Sequence, residues 1–196
     1  MTENPARCLH LFPDPAPNFS SDSEAEKEQY LDTLYERFLA DLVYANLVWP
    51  GEGSLRISFR RQAEIRGRHA SFWHVVSEGR VREEERSLSI ERCRRIGWIR
   101  PLIDEFIATY PRHDSIQWWL SPRPAHRNRR VLVSLSTFEF VAVFDVRDEY
   151  ILFVTAYFVE HPHRRRALER ECMEFWTRQE PPENQTAPDA PSSPGR

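Results

Sequence analysis

Apolar residues recur at three- and four-residue intervals between residues 24 and 46, and Glu and Asp residues fill many of the positions between them. This is the period of an α-helix with one buried side, so the segment is predicted to be amphipathic. Its apolar stripe consists of Leu31, Leu34, Tyr35, Phe38 and Leu42. The helix should end before the sequence Trp49-Pro50-Gly51, and alternation over residues 54–60 then predicts a strand.

Two more helices are predicted in the middle of the chain. Residues 70–78 form a short apolar stretch in which His74 follows Phe72 and Trp73. Pro101 is expected to open the other helix, because proline is tolerated in a first turn, and Pro111 follows its end.

After Pro111 the period of the apolar residues changes to two. Four runs rich in β-branched and aromatic residues predict strands, and their short connections favour an antiparallel meander. These runs are residues 116–120, 129–135, 138–145 and 150–159, and a last helix is predicted over residues 163–176. The expected fold is α+β, with N-terminal helices followed by a four-stranded antiparallel β-sheet and a C-terminal helix.

Composition divides the 196 residues into three parts. Residues 1–23 are acidic and rich in Pro and Ser, and residues 179–196 are rich in Pro, so both are predicted to be disordered tails. Residues 24–178 are expected to form a single domain. No apolar run approaches the roughly 20 residues of a membrane helix, and the first ten residues lack a secretory pattern. We therefore expect a cytoplasmic protein without a membrane partner; oligomeric state does not follow from the sequence.

The net charge of −3 conceals a basic centre between acidic flanks. Residues 54–178 contain 23 arginines and 17 carboxylates, whereas residues 1–53 contain 3 basic and 10 acidic side chains. Every basic residue except Lys27 is arginine, whose planar guanidinium suits bidentate contact with phosphate. The pattern fits a phosphate-bearing partner, and it also fits arginines on a solvated surface.

The sequence lacks the familiar cofactor and metal motifs. It contains no P-loop, no dinucleotide-binding glycine motif and no hydrolase nucleophile elbow. Cys8, Cys93 and Cys172 are widely spaced, which indicates reduced thiols rather than disulfides or a zinc site. His161 and His163 flank a proline without a nearby set of further ligands. We therefore expect neither a metal nor a cofactor.

Candidate polar residues lie on the last predicted strand and on the second helix. Strict alternation places Phe153, Thr155 and Tyr157 on one face of the strand and leaves the other face apolar. The two hydroxyls are candidates for lining a cleft, although threonine and tyrosine are also ordinary strand residues. His74 is a candidate acid or base, with a satisfied core histidine as the alternative.

Several short blocks resemble a phage-associated branch of the barnase, EndoU, colicin and RelE-like nuclease superfamily. The blocks span residues 54–172 and agree with that branch in order and spacing. They are Phe72-Trp73-His74, Arg92-Cys93-x-Arg95-Ile96-x-Trp98-x-Arg100-Pro101, Arg129-Arg130, Thr155-Ala156-Tyr157 and His163-Arg164-Arg165. Members of the superfamily have helices before a four-stranded antiparallel sheet, and the apolar pattern predicts the same arrangement.

The resemblance implies a metal-independent endoribonuclease, phage- or prophage-associated and toxin-like in role. RNA would be cleaved when a 2'-hydroxyl attacks the adjacent phosphate. His74 would be the base or the acid. Arg95 or Arg130 would hold the phosphate, and Thr155 with Tyr157 would donate hydrogen bonds to its oxygens. Three further arginines match the same blocks and would bind phosphate or form structural salt bridges: Arg92, Arg100 and Arg129. RNA is the implied partner. A free cytoplasmic ribonuclease would be toxic, which fits a cognate inhibitor protein, and the sequence leaves the existence of that inhibitor open.

Two other functions fit the same sequence. One is a phage protein that binds nucleic acid without catalysis, and the other is an adaptor whose sheet face presents Phe153 and Tyr157 to a protein partner. The acidic helix within residues 1–53 is predicted either to cover the basic surface as a removable phosphate mimic or to pack on the core.

Overall fold

The computed structural model describes residues 9, 11–18, 23–51, 53–62, 64–79, 86–111, 114–121 and 129–179. The first predicted helix is confirmed as α1, Glu24–Phe38, which continues into one π-helical turn, Leu39–Val43. The Ser23 hydroxyl accepts a hydrogen bond from the Glu26 backbone N–H, and this contact caps the start of the helix.

The central sheet of the described chain has five strands in the order β1-β7-β6-β5-β4. The predicted meander is confirmed, because β4 to β7 pair antiparallel in sequence order. The prediction of a four-stranded, wholly antiparallel sheet is wrong in one respect, because β1 adds a fifth strand that is parallel to β7. These strands are β1 (Arg56–Phe59), β4 (Ile116–Leu120), β5 (Arg129–Leu135), β6 (Phe140–Val146) and β7 (Tyr150–Phe158).

The chain between β1 and β4 contains more elements than the sequence predicts. Helix α2, Ala70–Val76, ends two residues earlier than expected, because the next two residues enter a separate two-stranded sheet. The other elements here are β2 (Ser77–Glu78), β3 (Ser87–Leu88), α3 (Ile90–Cys93), a 3-10 turn (Ile96–Trp98) and α4 (Ile99–Thr109). Helix α5, Pro162–Gln179, confirms the last predicted helix.

Two hydrophobic cores lie on opposite faces of the sheet. The larger core joins the sheet to helices α1 to α4, and the smaller core lies beneath α5. Cys93 belongs to the larger core and Cys172 to the smaller, so no disulfide joins them. Burial raises the pKa of the Cys93 thiol to about 12, which keeps that thiol protonated.

Helix α1 is part of the larger core, so the prediction that it is a removable cover is wrong. Leu31, Leu34 and Phe38 on its apolar stripe are buried. Its acidic side is neutralised locally, because the Arg68 guanidinium binds Glu28 at 2.8 Å and Asp32 at 2.6 Å. The hydrogen bond from Arg68 lowers the pKa of Glu28.

Residues 11–18 pack on the helical layer, so the predicted tail over residues 1–23 is wrong for this stretch. The Asp14 N–H donates to the Arg94 carbonyl at 2.8 Å, and Arg94 Nε donates to the Asp14 carbonyl at 2.6 Å. Trp98 Nε1 donates to the Phe12 carbonyl at 2.9 Å. Residues 1–8, 10 and 19–22, and the predicted tail beyond residue 179, lie outside the described residues.

Among the residues that the structure describes, no helix combines the length and the apolar character needed to cross a membrane.

Candidate active site

A cleft of about 690 Å³ lies where the C-terminal end of β7 leads into helix α5. Strand β2 and helix α3 contribute the facing wall. The cleft is lined by six side chains with guanidinium, imidazole or aromatic groups: Arg92, Tyr157, Phe158, His161, His163 and Arg164. Carboxylates line it as well, from Glu78, Glu91, Glu160 and Glu171.

Arg92 is anchored in the cleft wall by a backbone carbonyl. Its Nη1 donates to the His74 carbonyl at 3.0 Å, and Thr155 Oγ1 donates to the same oxygen at 2.7 Å. His74 lies in the last turn of α2, where carbonyls lack a complete set of intrahelical partners. One oxygen therefore joins α2, α3 and β7 and fixes the Arg92 guanidinium.

The Arg92 guanidinium is partly buried and lies near both positive and negative side chains. The guanidinium lies 5.7 Å from the centroid of the Tyr157 ring. Burial, and secondarily the charge of Arg86, lower the pKa of Arg92 against the opposing effect of Glu78. Among the described residues, Arg92 forms no ion pair within 4 Å. A guanidinium that has lost water without gaining a counterion is stabilised by binding one.

His161 and His163 form a stacked pair at the edge of the cleft. Their ring centroids are 5.4 Å apart and their planes differ by 14°. Both side chains are exposed, and the His161 carbonyl accepts hydrogen bonds from the N–H groups of Arg164 and Arg165 in the first turn of α5. Arg165 also donates to the Val159 carbonyl at 2.7 Å. These contacts hold the two imidazoles on a fixed segment.

Four of the predicted site residues come together here: His74, Arg92, Thr155 and Tyr157. Only Arg92 and Tyr157 line the cleft within the described part of the chain. His74 is half-buried and contributes its carbonyl oxygen, and the Thr155 hydroxyl is directed to that oxygen. Both residues therefore support Arg92 from behind the cleft wall.

Arg95 lies behind this wall and is not placed to hold a phosphate. Its side chain is buried, forms an ion pair with Glu91, and donates to the Glu91 carbonyl at 2.8 Å. The guanidinium lies 4.1 Å from the centroid of the Phe158 ring and 5.2 Å from that of Trp98. These contacts make Arg95 a structural support for the cleft.

Arg129 and Arg130 lie at the opposite end of the sheet. Arg130 Nε contacts Asp145 Oδ1 at 2.8 Å, and Asp145 is paired in register with Leu152. Leu152 and Tyr157 are five positions apart on β7, a distance of about 16 Å along a strand. The fold therefore does not bring Arg130 to the cleft beside Tyr157. Arg129, its exposed neighbour, is paired through Val146 with Ile151 and lies one position farther from Tyr157.

Arg100 lies on helix α4, also away from the cleft. Its Nε is 2.7 Å from both carboxylate oxygens of Asp104, and its Nη1 donates to the Asp41 carbonyl at 3.0 Å. Arg100 therefore links α4 to the π-helical turn after α1, which is the structural alternative that the sequence allows.

A β-bulge in β7 changes which of its side chains share a face. The register with β6 skips one residue between Phe153 and Thr155, so Val154 is extra. Phe153 packs in the larger core, whereas Val154 and Tyr157 pack toward α5. The predicted shared face of Phe153, Thr155 and Tyr157 is wrong, and so is the uniformly apolar opposite face, because Ala156 lies in the larger core. Since Phe153 is fully buried, it cannot present a docking surface.

The sequence prediction did not assign acid–base roles to His161 and His163, and it did not name Arg164 as a phosphate ligand. A signal for all three was available. They lie between the end of the strand that carries Thr155 and Tyr157 and the first turn of the next helix. This position in the sequence places them close to the end of that strand.

Neither a metal-binding cluster among the described residues nor a known relative identifies the site. Among the described residues, no group of three or more His, Cys, Asp or Glu side chains is arranged to hold a metal ion. No family model matches the chain, and no curated protein or solved structure matches it significantly. The function is therefore inferred from the chemistry of the cleft.

Proposed function

We propose that the cleft binds RNA and cleaves it without a metal ion. The observation that carries this proposal is Arg92, a half-buried guanidinium without an ion-pair partner among the described residues, in the same cleft as His161 and His163. Phosphate is the anion that a guanidinium contacts most effectively, and histidine is the most frequent acid or base in enzymes.

The proposed reaction is transesterification within the RNA. The 2'-oxygen of one nucleotide forms a bond to phosphorus as its proton passes to a base in the cleft. The bond from phosphorus to the 5'-oxygen of the next nucleotide breaks, and that oxygen takes a proton from an acid in the cleft. The products are a 2',3'-cyclic phosphate end and a 5'-hydroxyl end.

The cleft supplies a group for each step. Arg92 and Arg164 hold the phosphate and neutralise the charge that grows on its oxygens in the transition state. The histidine pair lies where β7 leads into α5, and Glu78 lies on the β2 wall. A phosphate bound between these walls would have acid–base groups on two sides. In-line displacement requires a base and an acid on opposite sides of phosphorus. We assign the acid to the histidine pair and the base to Glu78.

The start of α5 adds to the binding of a negative charge. Its first residue, Pro162, has no N–H, and the N–H groups of Arg164 and Arg165 donate to the His161 carbonyl. The helix therefore contributes the positive end of its dipole rather than a set of free N–H donors. His163 and Arg164 project from this turn into the lining of the cleft. A phosphate between Arg92 and Arg164 would therefore lie close to the positive end of the helix.

The experiment is RNA cleavage in excess EDTA by the wild-type chain and two arginine variants. Arg92→Gln should reduce cleavage about 100-fold or more, because one charged contact to the transition state is lost. Arg100→Gln is the matched control and should stay within about threefold of wild type, since Arg100 is distant from the cleft. The products of the wild type should carry 2',3'-cyclic phosphate ends.

Two outcomes would contradict the proposal. Salt-sensitive binding of RNA without cleavage would identify a non-catalytic nucleic-acid-binding protein. Equal cleavage by Arg92→Gln and wild type would show that the cleft is not where the reaction takes place.

A further inference from the structure

A second cavity, of about 510 Å³, lies on the other side of helix α5, against the edge strand β4. Helical periodicity explains how one helix serves both. The α5 residues that line this cavity are Glu169, Cys172, Met173 and Trp176, at spacings of three, four and seven. The α5 residues that line the candidate active-site cleft are His163, Arg164, Ala167, Leu168 and Glu171.

Aromatic rings form the walls of the second cavity. The ring centroids of Trp118 and Trp176 are 5.0 Å apart, and their planes meet at 82°. Trp176 Nε1 donates to the Trp118 carbonyl at 2.9 Å, and Trp118 Nε1 donates to the Pro111 carbonyl. Tyr110 stacks on Trp118, and Phe138 adds another ring to the lining. Because both indole N–H groups are bonded within the protein, the two indole rings are held in place.

The charged groups among the described lining residues of this cavity are acidic. Asp114 and Glu169 line it, and no Lys, Arg or His is among its described lining residues. Both carboxylates are exposed, and neither forms an ion pair within the described part of the chain. Two carboxylates in a cavity that Trp118, Phe138 and Trp176 also line attract a cation and repel a phosphate.

We propose that this cavity binds an organic cation with an alkylammonium group. Aromatic ring faces carry a negative quadrupole, and an alkylammonium gains from both the rings and the carboxylates. A metal ion would instead prefer a closed set of oxygen ligands, which two carboxylates do not supply. A polyamine and the lysine side chain of a protein share this chemistry. The inference does not depend on the proposed RNA cleavage.

The test is calorimetric titration of the full chain with two probes. One is spermidine, and the other is a short uncharged peptide with one central lysine, compared with the same peptide containing norleucine. Glu169→Gln should raise the Kd of the bound probe about fivefold, and Trp176→Leu should raise it about tenfold. Glu174→Gln is the matched control on the exposed side of α5 and should leave the Kd unchanged. Circular dichroism of each variant checks that the fold is kept.

The probes distinguish the two sources of the cation. Binding of spermidine alone identifies a polyamine site, and binding of the lysine peptide but not the norleucine peptide identifies a site for a protein side chain. The proposal is overturned if neither probe binds at millimolar concentration. It is also overturned if Glu169→Gln binds as wild type does, or if norleucine and lysine peptides bind equally.

Discussion

The two sides of helix α5 differ in whether they offer positive charge: one side combines arginines with carboxylates, and the other offers carboxylates alone among the described lining residues. On one side, Arg92, Arg164 and a histidine pair line the cleft together with four carboxylates. On the other, the charged residues among the described lining are Asp114 and Glu169, in a cavity that also contains two tryptophans. The net charge of −3 would predict neither surface. The two cavities therefore show why ion pairs must be considered residue by residue. A charged side chain that is paired within the fold offers little net charge to a ligand, because its partner neutralises it.

The other arginines of the predicted site illustrate this rule. Arg95, Arg100 and Arg130 each contact a carboxylate within the fold, at Glu91, Asp104 and Asp145. The guanidinium groups of these three arginines therefore form structural ion pairs. Arg92 is distinguished by a carbonyl anchor in place of a carboxylate.

The largest expected effect is a loss of RNA cleavage when a residue on the cleft side of α5 is replaced, compared with a replacement on the opposite side. His163→Ala should reduce RNA cleavage about 100-fold or more, because an acid–base group is lost. Trp176→Leu, on the opposite side of the same helix, should keep cleavage within about threefold, since it touches no group of the cleft. Initial rates on a labelled RNA oligonucleotide provide the measurement.

His74→Ala sharpens this comparison, because the sequence prediction assigns catalysis to its imidazole. Its carbonyl remains after the substitution, so cleavage should fall less than tenfold. A larger loss of cleavage activity for His74→Ala than for His163→Ala would show instead that the His74 imidazole is the acid–base group.

The next effect concerns stability at the opposite end of the sheet. Asp145→Asn leaves Arg130 without its counterion and should lower the free energy of unfolding by about 1–2 kcal/mol, a value reduced for the exposure of Arg130. Denaturant unfolding measures the change. RNA cleavage at saturating substrate should be unchanged, and a parallel loss of activity would show that this end of the sheet belongs to the site.

The smallest effect concerns the support of Arg92. Thr155→Val removes the hydroxyl that donates to the His74 carbonyl and should cost about 1 kcal/mol of stability. The KM for RNA should rise several-fold, because Arg92 loses part of its anchor. Thr155→Ser restores the donor and should recover most of the KM, which a simple loss of packing would not do.

Local patterns predicted the elements of this fold well. Strands β4 and β5 begin and end where the alternation does, because their side chains alternate between two cores. The pairing of β1 with β7 was not predicted, since the two strands are distant in sequence and no local pattern encodes their contact. The stretch 11–18 was missed because its order depends on backbone hydrogen bonds to Arg94 and Trp98 rather than on its own composition.

The site was predicted in part. The sequence named Arg92, Thr155, Tyr157 and His74, which the fold brings together. It could not show that His74 acts through a carbonyl, because backbone contacts do not depend on the side chain. The sequence also could not locate the β-bulge at Val154. The bulge changes which side chains of β7 lie on the same face of the sheet, and no residue composition marks it.

Cleavage of RNA with a single 2'-deoxy nucleotide tests the central claim most directly. The substrate is a short RNA with one susceptible bond, in excess EDTA, compared with the same strand carrying deoxyribose on the 5' side of that bond. We predict that the all-RNA strand is cut to a 2',3'-cyclic phosphate and that the substituted strand is not cut at that bond. Cleavage of the substituted strand at the same bond would contradict attack by the 2'-hydroxyl and with it the proposed function.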